Sequence, residues 1–140
     1  MRLVLDTNTA LSGLLWGGPP GRLIGAAESG EIEIVSSVAL LTELRDVLGR
    51  PKFVRRLTQQ GFTDVRVFAG YVALVTIVAP ALITPTILSD PADDAVLAAA
   101  VGARADLIVS GDAHLLNLKS FHGIDIVTAA TADGRINPEG

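Results

Sequence analysis

Acidic side chains recur in this chain directly after short apolar runs or at the start of helical patterns. Asp6 follows "RLVL" and Asp112 follows "DLIVSG". Glu43 lies within "SSVALLTELRDVL", and Asp93 and Asp94 lie within "SDPADDAVL". Carboxylates that meet at one site repel each other and raise one another's pKa unless a cation lies between them. If these acids converge, the chemistry that they indicate is the binding of a divalent cation.

Each acid also has an ordinary structural explanation when it is taken alone. A single Asp after a strand, such as Asp6 or Asp112, is more often the cap of the next helix. Glu43 alone would be a solvated helix residue. Asp93 and Asp94 alone would be first-turn acids that the helix dipole favours. The metal hypothesis therefore depends on the whole set.

Strands and helices alternate along the chain. Short apolar or alternating runs predict strands at "RLVL", "EIEIV", "DLIVS" and "IDIVT", and a further buried strand near "LVTIVA"; the first strand contains "LVL", a run without polar alternation. Such runs are typical of parallel strands that are covered on both faces. Helical patterns between them indicate right-handed crossovers. We therefore predict an α/β fold, a three-layer α/β/α sandwich around a parallel sheet of about five strands.

This fold would bring the acids to one edge of the sheet. Ligands of open parallel sheets bind beyond the carboxyl ends of the strands, where the strand order reverses. Asp6 and Asp112 both follow strands, so both belong to that edge. The helix of Glu43 can be capped by Ser36 or Ser37. Glu43 lies about 100° from the centre of the Leu stripe of this helix, which places it at the border of the buried face.

The fourth acidic segment contains a signal for the start of a helix. Asp90 is a good N-cap, and Pro91 suits the first helical position. Asp93 and Asp94 then fall in the first turn, and we expect that turn to face the same edge.

The ligand types predict a hard cation. The chain has no cysteine, and neither His114 nor His122 has a metal-binding spacing in the sequence. Oxygen ligands without thiolates favour Mg²⁺ or Mn²⁺ over zinc. Ions of this kind activate water and stabilise the leaving oxygen in phosphodiester hydrolysis.

Length and composition predict one domain. The chain has 140 residues, of which 49% are hydrophobic, enough for one sizeable core. We predict a domain over residues 1–132 and a flexible tail over 133–140. The absence of cysteine excludes a disulfide framework. The first apolar run is too short for a signal peptide, so a cytoplasmic location is expected.

One uncharged segment, residues 67–89, has the length of a membrane span. Gly70, Pro80 and Pro85 interrupt it, and we therefore expect no membrane-spanning helix. The same segment is predicted to hold a helix from about Asp64, the buried strand near "LVTIVA" and a loop.

Five of the eleven Lys and Arg residues lie close together, although the net charge is −4. They are Arg45, Arg50, Lys52, Arg55 and Arg56. This stretch could guide RNA phosphates towards the metals, or it could be a solvated helical face or a docking surface for an acidic partner. Aromatic residues are few, so strong base stacking is not predicted. Trp16 is expected in the core, with an apolar surface patch as the alternative.

Four motifs together resemble a known family. "LDTN", the Glu in "LLTELRDVLGRPK", "SDPADDAVLAAA" and "ADLIVSGDAHLL" occur in the order and spacing of the PIN domain. The chain is most similar to the branch that forms the toxins of bacterial toxin–antitoxin modules, and the similarity runs over nearly the whole chain. The resemblance implies a metal-dependent endoribonuclease, a homodimer and a cognate antitoxin protein as partner.

The resemblance also implies roles for individual residues. Asp6, Glu43, one acid of the Asp93 and Asp94 pair, and Asp112 would be the metal ligands, with Asp93 preferred within the pair. Asn8 and Ser110 match polar positions that orient the ligands or the water. Members of this branch often have a further acid at the position of His114, which we interpret as a surface or capping histidine.

Two alternatives stay open at this point. The first is a phosphatase of the haloacid dehalogenase type, with Asp6 as nucleophile. That family normally has a second Asp where this chain has Asn8, and it leaves Glu43 without a role. The second alternative is a non-catalytic PIN-like module that binds RNA or protein.

Overall fold

The computed structural model of the chain describes residues 1–84 and 91–138. The elements, in chain order, are β1 Arg2–Leu5, α1 Thr7–Leu15, α2 Gly18–Glu28, β2 Glu33–Ser36, α3 Val38–Leu48, α4 Pro51–Gln59, α5 Asp64–Leu74, β3 Thr76–Ile77, α6 Pro91–Ala103, β4 Leu107–Val109, α7 Ala113–Leu118, β5 Ser120–Phe121, β6 Ile124–Val127 and α8 Ala129–Ile136. The cap predicted at Asp90 lies outside the described residues.

The strands form one sheet in the order β3-β2-β1-β4-β6-β5. All neighbouring pairs are parallel except β5 and β6, which are antiparallel. The predicted α/β sandwich is confirmed, with six strands in place of about five. The additional strand, β5, has two residues and returns through His122 and Gly123, both at positive φ. Two residues are too few to produce a hydrophobic period, so the sequence pattern did not reveal this strand.

Helices cover both faces of the sheet. Leu3 and Leu5 pack with α1, α2, α3 and α8 on one face, while Val4 packs with α6 on the other. The predicted stripe of α3 is buried, and Ser37 caps this helix by accepting the N–H of Leu40 at 3.3 Å. The alternation of strand side chains thus divides the core into two layers.

The strand predicted to be buried near "LVTIVA" is a short edge strand. β3 contains only Thr76 and Ile77, and both are exposed. Val75, which is buried, directly follows α5 as its C-cap. The apolar run therefore contains the end of α5 and the edge strand β3, which has a neighbouring strand on one side only.

Trp16 is exposed, and its prediction as a core residue is wrong. Its exposed fraction is 55%, because α1 ends at Leu15 and the chain turns at Gly17, whose φ is 79°. Gly17 tolerates this conformation because it lacks a Cβ atom. The turn is short, since α2 begins at Gly18 with Pro19 and Pro20 in its first turn.

The last helix crosses the boundary predicted at residue 132. α8 runs to Ile136, and Asp133 accepts a hydrogen bond from Arg22 Nε on α2 at 2.7 Å. Residues 133–136 therefore belong to this helix. In the parts of the chain that the structure describes, every helix is too short or too polar to span a membrane.

Candidate active site

Asp6 directly follows β1 and is almost fully buried, with 5% of its surface exposed. Its Oδ1 accepts the N–H of Thr9 at 2.8 Å, which makes Asp6 the N-cap of α1. Its Oδ2 accepts the hydroxyl of Ser110 at 2.5 Å. The carboxylate is therefore held in one orientation from two sides.

Asp112 follows β4, the direct neighbour of β1. The Asp6 N–H donates to the Val109 carbonyl oxygen at 3.1 Å, which brings the ends of the two strands together. Asp112 Oδ1 accepts the N–H groups of His114 and Leu115 at 2.8 and 3.3 Å and caps α7. Because the chain fills the sheet on one side of β1 before it returns to β4, this is the point where the strand order reverses.

Ser110 links the two carboxylates. Its hydroxyl donates to Asp6 Oδ2, and Ser110 Oγ also accepts the N–H of Asp112 at 2.9 Å. The Ser110 side chain is completely buried. Ser110 is therefore placed to fix the relative positions of Asp6 and Asp112.

A small cavity of about 50 Å³ opens between these groups. The residues that line it are Asp6, Thr7, Asn8, Glu43, Ala92, Asp93, Val96 and Asp112. A water molecule occupies about 30 Å³ in the liquid, so the cavity has the size for one or two ions or waters and is too small for a nucleotide. The structure thus brings together acids from β1, α3, α6 and the end of β4.

The two acids of the Asp93 and Asp94 pair have different surroundings. Both lie in the first turn of α6, as expected. Asp93 is buried, with 6% of its surface exposed, and it lines the cavity. Asp94 is half-buried and is not among the described residues that line it. Successive helix residues point about 100° apart, so the two acids of the pair face different directions.

His114 is part of the same cluster. Ligand atoms of Asp93, Asp112 and His114 lie within 4.8 Å of one another. The His114 side chain is exposed, as expected, and its Nδ1 lies 3.6 Å from Asp112 Oδ1. The sequence did not predict this proximity, which arises because the first turn of α7 folds His114 back beside Asp112. A histidine two residues after a candidate ligand at a helix start was the available signal.

Two further residues near the cavity were not identified from the sequence. Tyr71 is buried, and burial together with the Asp6 carboxylate raises the pKa of its phenol. The phenol is therefore neutral at physiological pH. Thr7 lines the cavity, and its buried Oγ1 has no hydrogen-bond partner among the described residues. A buried hydroxyl of this kind can serve a bound water or ligand.

The donor groups fit a divalent cation. The cavity presents carboxylate oxygens, with an imidazole nitrogen beside them. Oxygen donors suit Mg²⁺ and Mn²⁺, and Mn²⁺ also accepts imidazole. The N-terminal end of α1 adds positive potential at this position.

The comparison with protein families agrees with this geometry. Residues 2–114 match the family model of the PIN domain. The chain belongs to the PIN domain family. The matched part of this PIN domain includes every acid that lines the cavity and ends at His114. No curated protein matches the chain. Membership in the PIN domain family indicates a nuclease-type activity, and the acidic cluster provides a candidate metal site for it.

The basic residues predicted to contact RNA lie outside the described lining of the cavity. Arg45 lies about 200° around α3 from Glu43, and its Nε is 3.9 Å from Asp46 Oδ1. The remaining four lie at the start of α4 or on this helix, and among the described residues none of the four forms an ion pair. They are Arg50, Lys52, Arg55 and Arg56. Four unneutralised cations therefore share one short segment of the PIN domain.

Proposed function

We propose that this PIN domain is a divalent-metal-dependent endoribonuclease. The observation that carries the proposal is the cavity of about 50 Å³ that Asp6, Glu43, Asp93 and Asp112 line together. Four carboxylates around so small a space repel one another unless a cation binds there. The phosphatase alternative gives no role to Glu43, although Glu43 lines the cavity with Asp6.

Asp6, Glu43, Asp93 and Asp112 would hold Mg²⁺ or Mn²⁺ in this proposal. When bound, such an ion activates water and stabilises the leaving oxygen of a phosphodiester. Asn8 lines the cavity and is exposed, so its amide is available to orient a substrate phosphate or a water. Asp94 stays the second choice for the ligand from α6.

Ser110 would act as a positioning residue. It keeps Asp6 and Asp112 at a constant separation, which supports a ligand geometry that has formed before any ion binds. The hydrogen bonds from Thr9 to Asp6 and from His114 to Asp112 restrict the same two carboxylates. Little rearrangement of these side chains would be needed on metal binding.

The substrate in this proposal is RNA, which reaches the cavity from the positively charged segment around α4. Arg50, Lys52, Arg55 and Arg56 would contact phosphates, while Arg45 has a weaker case because of its position near Asp46. Binding through phosphates releases counterions, so the affinity should fall steeply with salt concentration.

The biological role that we propose is the toxin of a toxin–antitoxin module. The motifs in "LDTN", "SDPADDAVLAAA" and "ADLIVSGDAHLL" support this branch of the PIN domain family by resemblance. A homodimer, a cognate antitoxin protein that obstructs the acidic cavity, and a cytoplasmic location belong to the same proposal.

The first test is cleavage of a broad pool of labelled RNA by the purified protein. The reaction contains Mn²⁺ or Mg²⁺, and a parallel reaction contains EDTA. We expect cleavage only with the metal, and at least a hundredfold lower rate for Asp6→Asn, which removes a charged donor from the cavity, comparable with other electrostatic groups of active sites. Asp46→Asn is the matched control, because Asp46 is an exposed acid on α3 outside the described lining.

Other outcomes would select another function. Intact RNA under all conditions, together with tight Mn²⁺ binding, would contradict the nuclease and favour a non-catalytic RNA- or protein-binding module. Hydrolysis of phosphate monoesters that survives Glu43→Gln would favour the phosphatase.

A further inference from the structure

Trp16 is the single tryptophan of the chain and has an exposed indole ring. It follows the last residue of α1 and packs against one side of α4. The guanidinium carbon of Arg56 lies 4.8 Å from the centre of the indole ring, and the ring of Phe53 meets the indole edge-on at 6.0 Å. The indole is therefore held by two residues of α4 while more than half of its surface remains in solvent.

The residues that hold the indole are themselves restrained. Arg56 Nε donates to the Leu15 carbonyl oxygen at 3.1 Å, which satisfies a free carbonyl at the C-terminal end of α1. Phe53 is buried to more than nine-tenths, and Lys52 Nζ lies 4.9 Å from the centre of its ring. A restrained aromatic surface loses little conformational entropy when a flat ligand stacks on it.

The charge around Trp16 fits a polyanion. Lys52, Arg55 and Arg56 lie within an arc of about 100° on α4. The segment from Arg50 to Gln60 contains no acidic residue, although the whole chain carries a net charge of −4. Among the described residues these cations have no ion-pair partner. An exposed indole with unneutralised cations beside it matches the way in which single strands are bound, by stacked bases and paired phosphates.

We propose that Trp16 is a base-stacking platform for single-stranded RNA, and that the cations of α4 bind the phosphates on either side of the stacked base. This inference rests on the proposed function, because it takes RNA as the substrate. It adds one defined stacking site to a chain whose low aromatic content excludes an extended stacking surface.

The position of the platform sets a minimum length for the substrate. Trp16 lies ten residues after Asp6, which corresponds to about 15 Å along α1. At the duplex rise of 3.4 Å per nucleotide, this distance equals roughly four nucleotides, and fewer if the strand is extended. Short oligonucleotides would therefore reach the cavity without reaching Trp16.

Tryptophan fluorescence tests the platform directly. Because Trp16 is the single tryptophan, its emission reports only on this site. A single-stranded oligonucleotide of about twelve nucleotides, long compared with the separation derived above, is added to the full-length protein in EDTA, so that no metal-dependent cleavage occurs. Stacking should quench the emission, with a salt dependence that follows binding of the same RNA measured by anisotropy.

Two variants separate stacking from a general loss of affinity. Trp16→Ala should weaken binding of the labelled oligonucleotide roughly 5- to 100-fold, the range for loss of one stacked base, while Trp16→Phe should recover most of the affinity. Phe62→Ala is the matched control, since Phe62 is as exposed as Trp16 but lies beyond the other end of α4. Circular dichroism of each variant checks that the fold is kept.

Cleavage kinetics give a second readout. With Mn²⁺ present, the ratio of kcat/KM for a twelve-nucleotide substrate to that for a dinucleotide should fall in Trp16→Ala, mainly through KM of the longer substrate.

The outcomes for the platform and for the nuclease differ. Quenching by RNA without any cleavage would support the platform and contradict the proposed nuclease. Cleavage with unchanged emission and an unchanged length ratio would overturn the platform and leave the nuclease standing. Emission that responds to an oligoglutamate peptide but not to RNA would also overturn it, and would make this surface a docking site for an acidic protein.

Discussion

Asp6 and Asp112 act as helix caps and also belong to the candidate metal site. An ionised carboxylate has about four lone-pair directions, so a cap that accepts one or two N–H groups keeps capacity for a cation. Asp6 accepts one N–H and one hydroxyl, and a single carboxylate oxygen of Asp112 accepts two N–H groups. The capping explanation and the metal hypothesis for these acids are therefore compatible.

Asp93 and Asp94 provide a matched pair of variants. Asp93→Asn should weaken Mn²⁺ binding by more than tenfold, a loss that even residues supporting a metal site can produce. Asp94→Asn should weaken it much less, because Asp94 is half-buried and outside the described lining. Isothermal titration calorimetry with Mn²⁺ measures both variants. A larger loss in Asp94→Asn would assign the ligand to Asp94.

Ser110→Ala removes the link between the two carboxylates. The partly buried Asp112 N–H loses its acceptor, so the free energy of unfolding should fall by about 1–3 kcal/mol. Affinity for Mn²⁺ should fall as well, since Asp6 loses its hydroxyl donor.

Urea unfolding and Mn²⁺ titration of Ser110→Ala are compared with Ser29→Ala. Ser29 Oγ donates to the Ala26 carbonyl oxygen at the end of α2, away from the cavity. Equal Mn²⁺ affinity in the two variants would show that Ser110 has no positioning role.

At the scale of elements, the close approach of α6 to its neighbours positions Asp93. Small residues of α6, including Ala99, Ala100 and Ala103, are buried against the sheet. On another side of the helix, Ala81 donates its N–H to the Ala98 carbonyl oxygen at 3.0 Å. Gly102 permits this contact, because a Cβ atom there would overlap the Ala79 carbonyl oxygen.

Gly102→Ala should therefore destabilise the protein, although alanine is the better helix former. The overlap with backbone should cost about 1–3 kcal/mol, as overpacking does, and this exceeds the gain in helix propensity. Gly70→Ala is the contrasting variant. Gly70 lies inside α5 with open space around its Cα, so alanine should stabilise the protein by about 0.5–1 kcal/mol.

Midpoints of urea unfolding measure both glycine variants. If both variants shift the midpoint in the same direction, the packing of α6 against residues 79–81 does not limit stability.

At the scale of the whole molecule, charge is distributed unevenly. An acidic cavity lies at the carboxyl edge of the sheet, while the start of α4 and the helix itself carry four cations that form no ion pair with a described residue. Burial, together with the negative charge of Asp6, raises the pKa of the Tyr71 phenol on α5. The pH dependence of the free energy of unfolding at alkaline pH is therefore a measure of the surroundings of Tyr71 in the folded protein.

Tyr71 should make the protein less stable at alkaline pH. Below pH 10.0, the ordinary pKa of tyrosine, both the folded and the unfolded protein keep the phenol proton. The contribution of Tyr71 to the free energy of unfolding is then fully present. Above this pH, the unfolded chain loses the proton while the folded protein retains it. The free energy of unfolding then falls with rising pH, by at most about 1.4 kcal/mol per unit for this one group.

Tyr71→Phe should remove this component. Urea unfolding of the wild type and the variant at pH 9, 10 and 11, in EDTA, measures the difference in slope. Deprotonation of lysines affects both proteins equally and cancels in the comparison. Parallel pH dependences would contradict the raised pKa of Tyr71.

Local patterns were sufficient to predict the main elements of the fold. The period of Leu40, Leu41 and Leu44 identified α3 and limited its cap to Ser36 or Ser37, because a helix stripe and a capping residue are properties of adjacent residues. β5 was not predicted, and β3 was predicted as a buried strand although it is an exposed edge strand. Two residues carry no hydrophobic period, and their burial depends on neighbouring strands. Trp16 was misplaced for a similar reason, because composition alone does not show where α1 ends.

The sequence by itself determined the acids, the strands that precede Asp6 and Asp112, and the helix turn that carries Asp93 and Asp94. Only the tertiary structure decided that β1 and β4, about one hundred residues apart in the chain, are neighbours, and that Asp93 rather than Asp94 faces the cavity. It also decided that His114 lies beside Asp112 and that Trp16 is exposed beside Arg56. The physical reason is that propensity, period and capping act between nearby residues, whereas the strand order, the cavity and the exposed surface result from packing between distant segments.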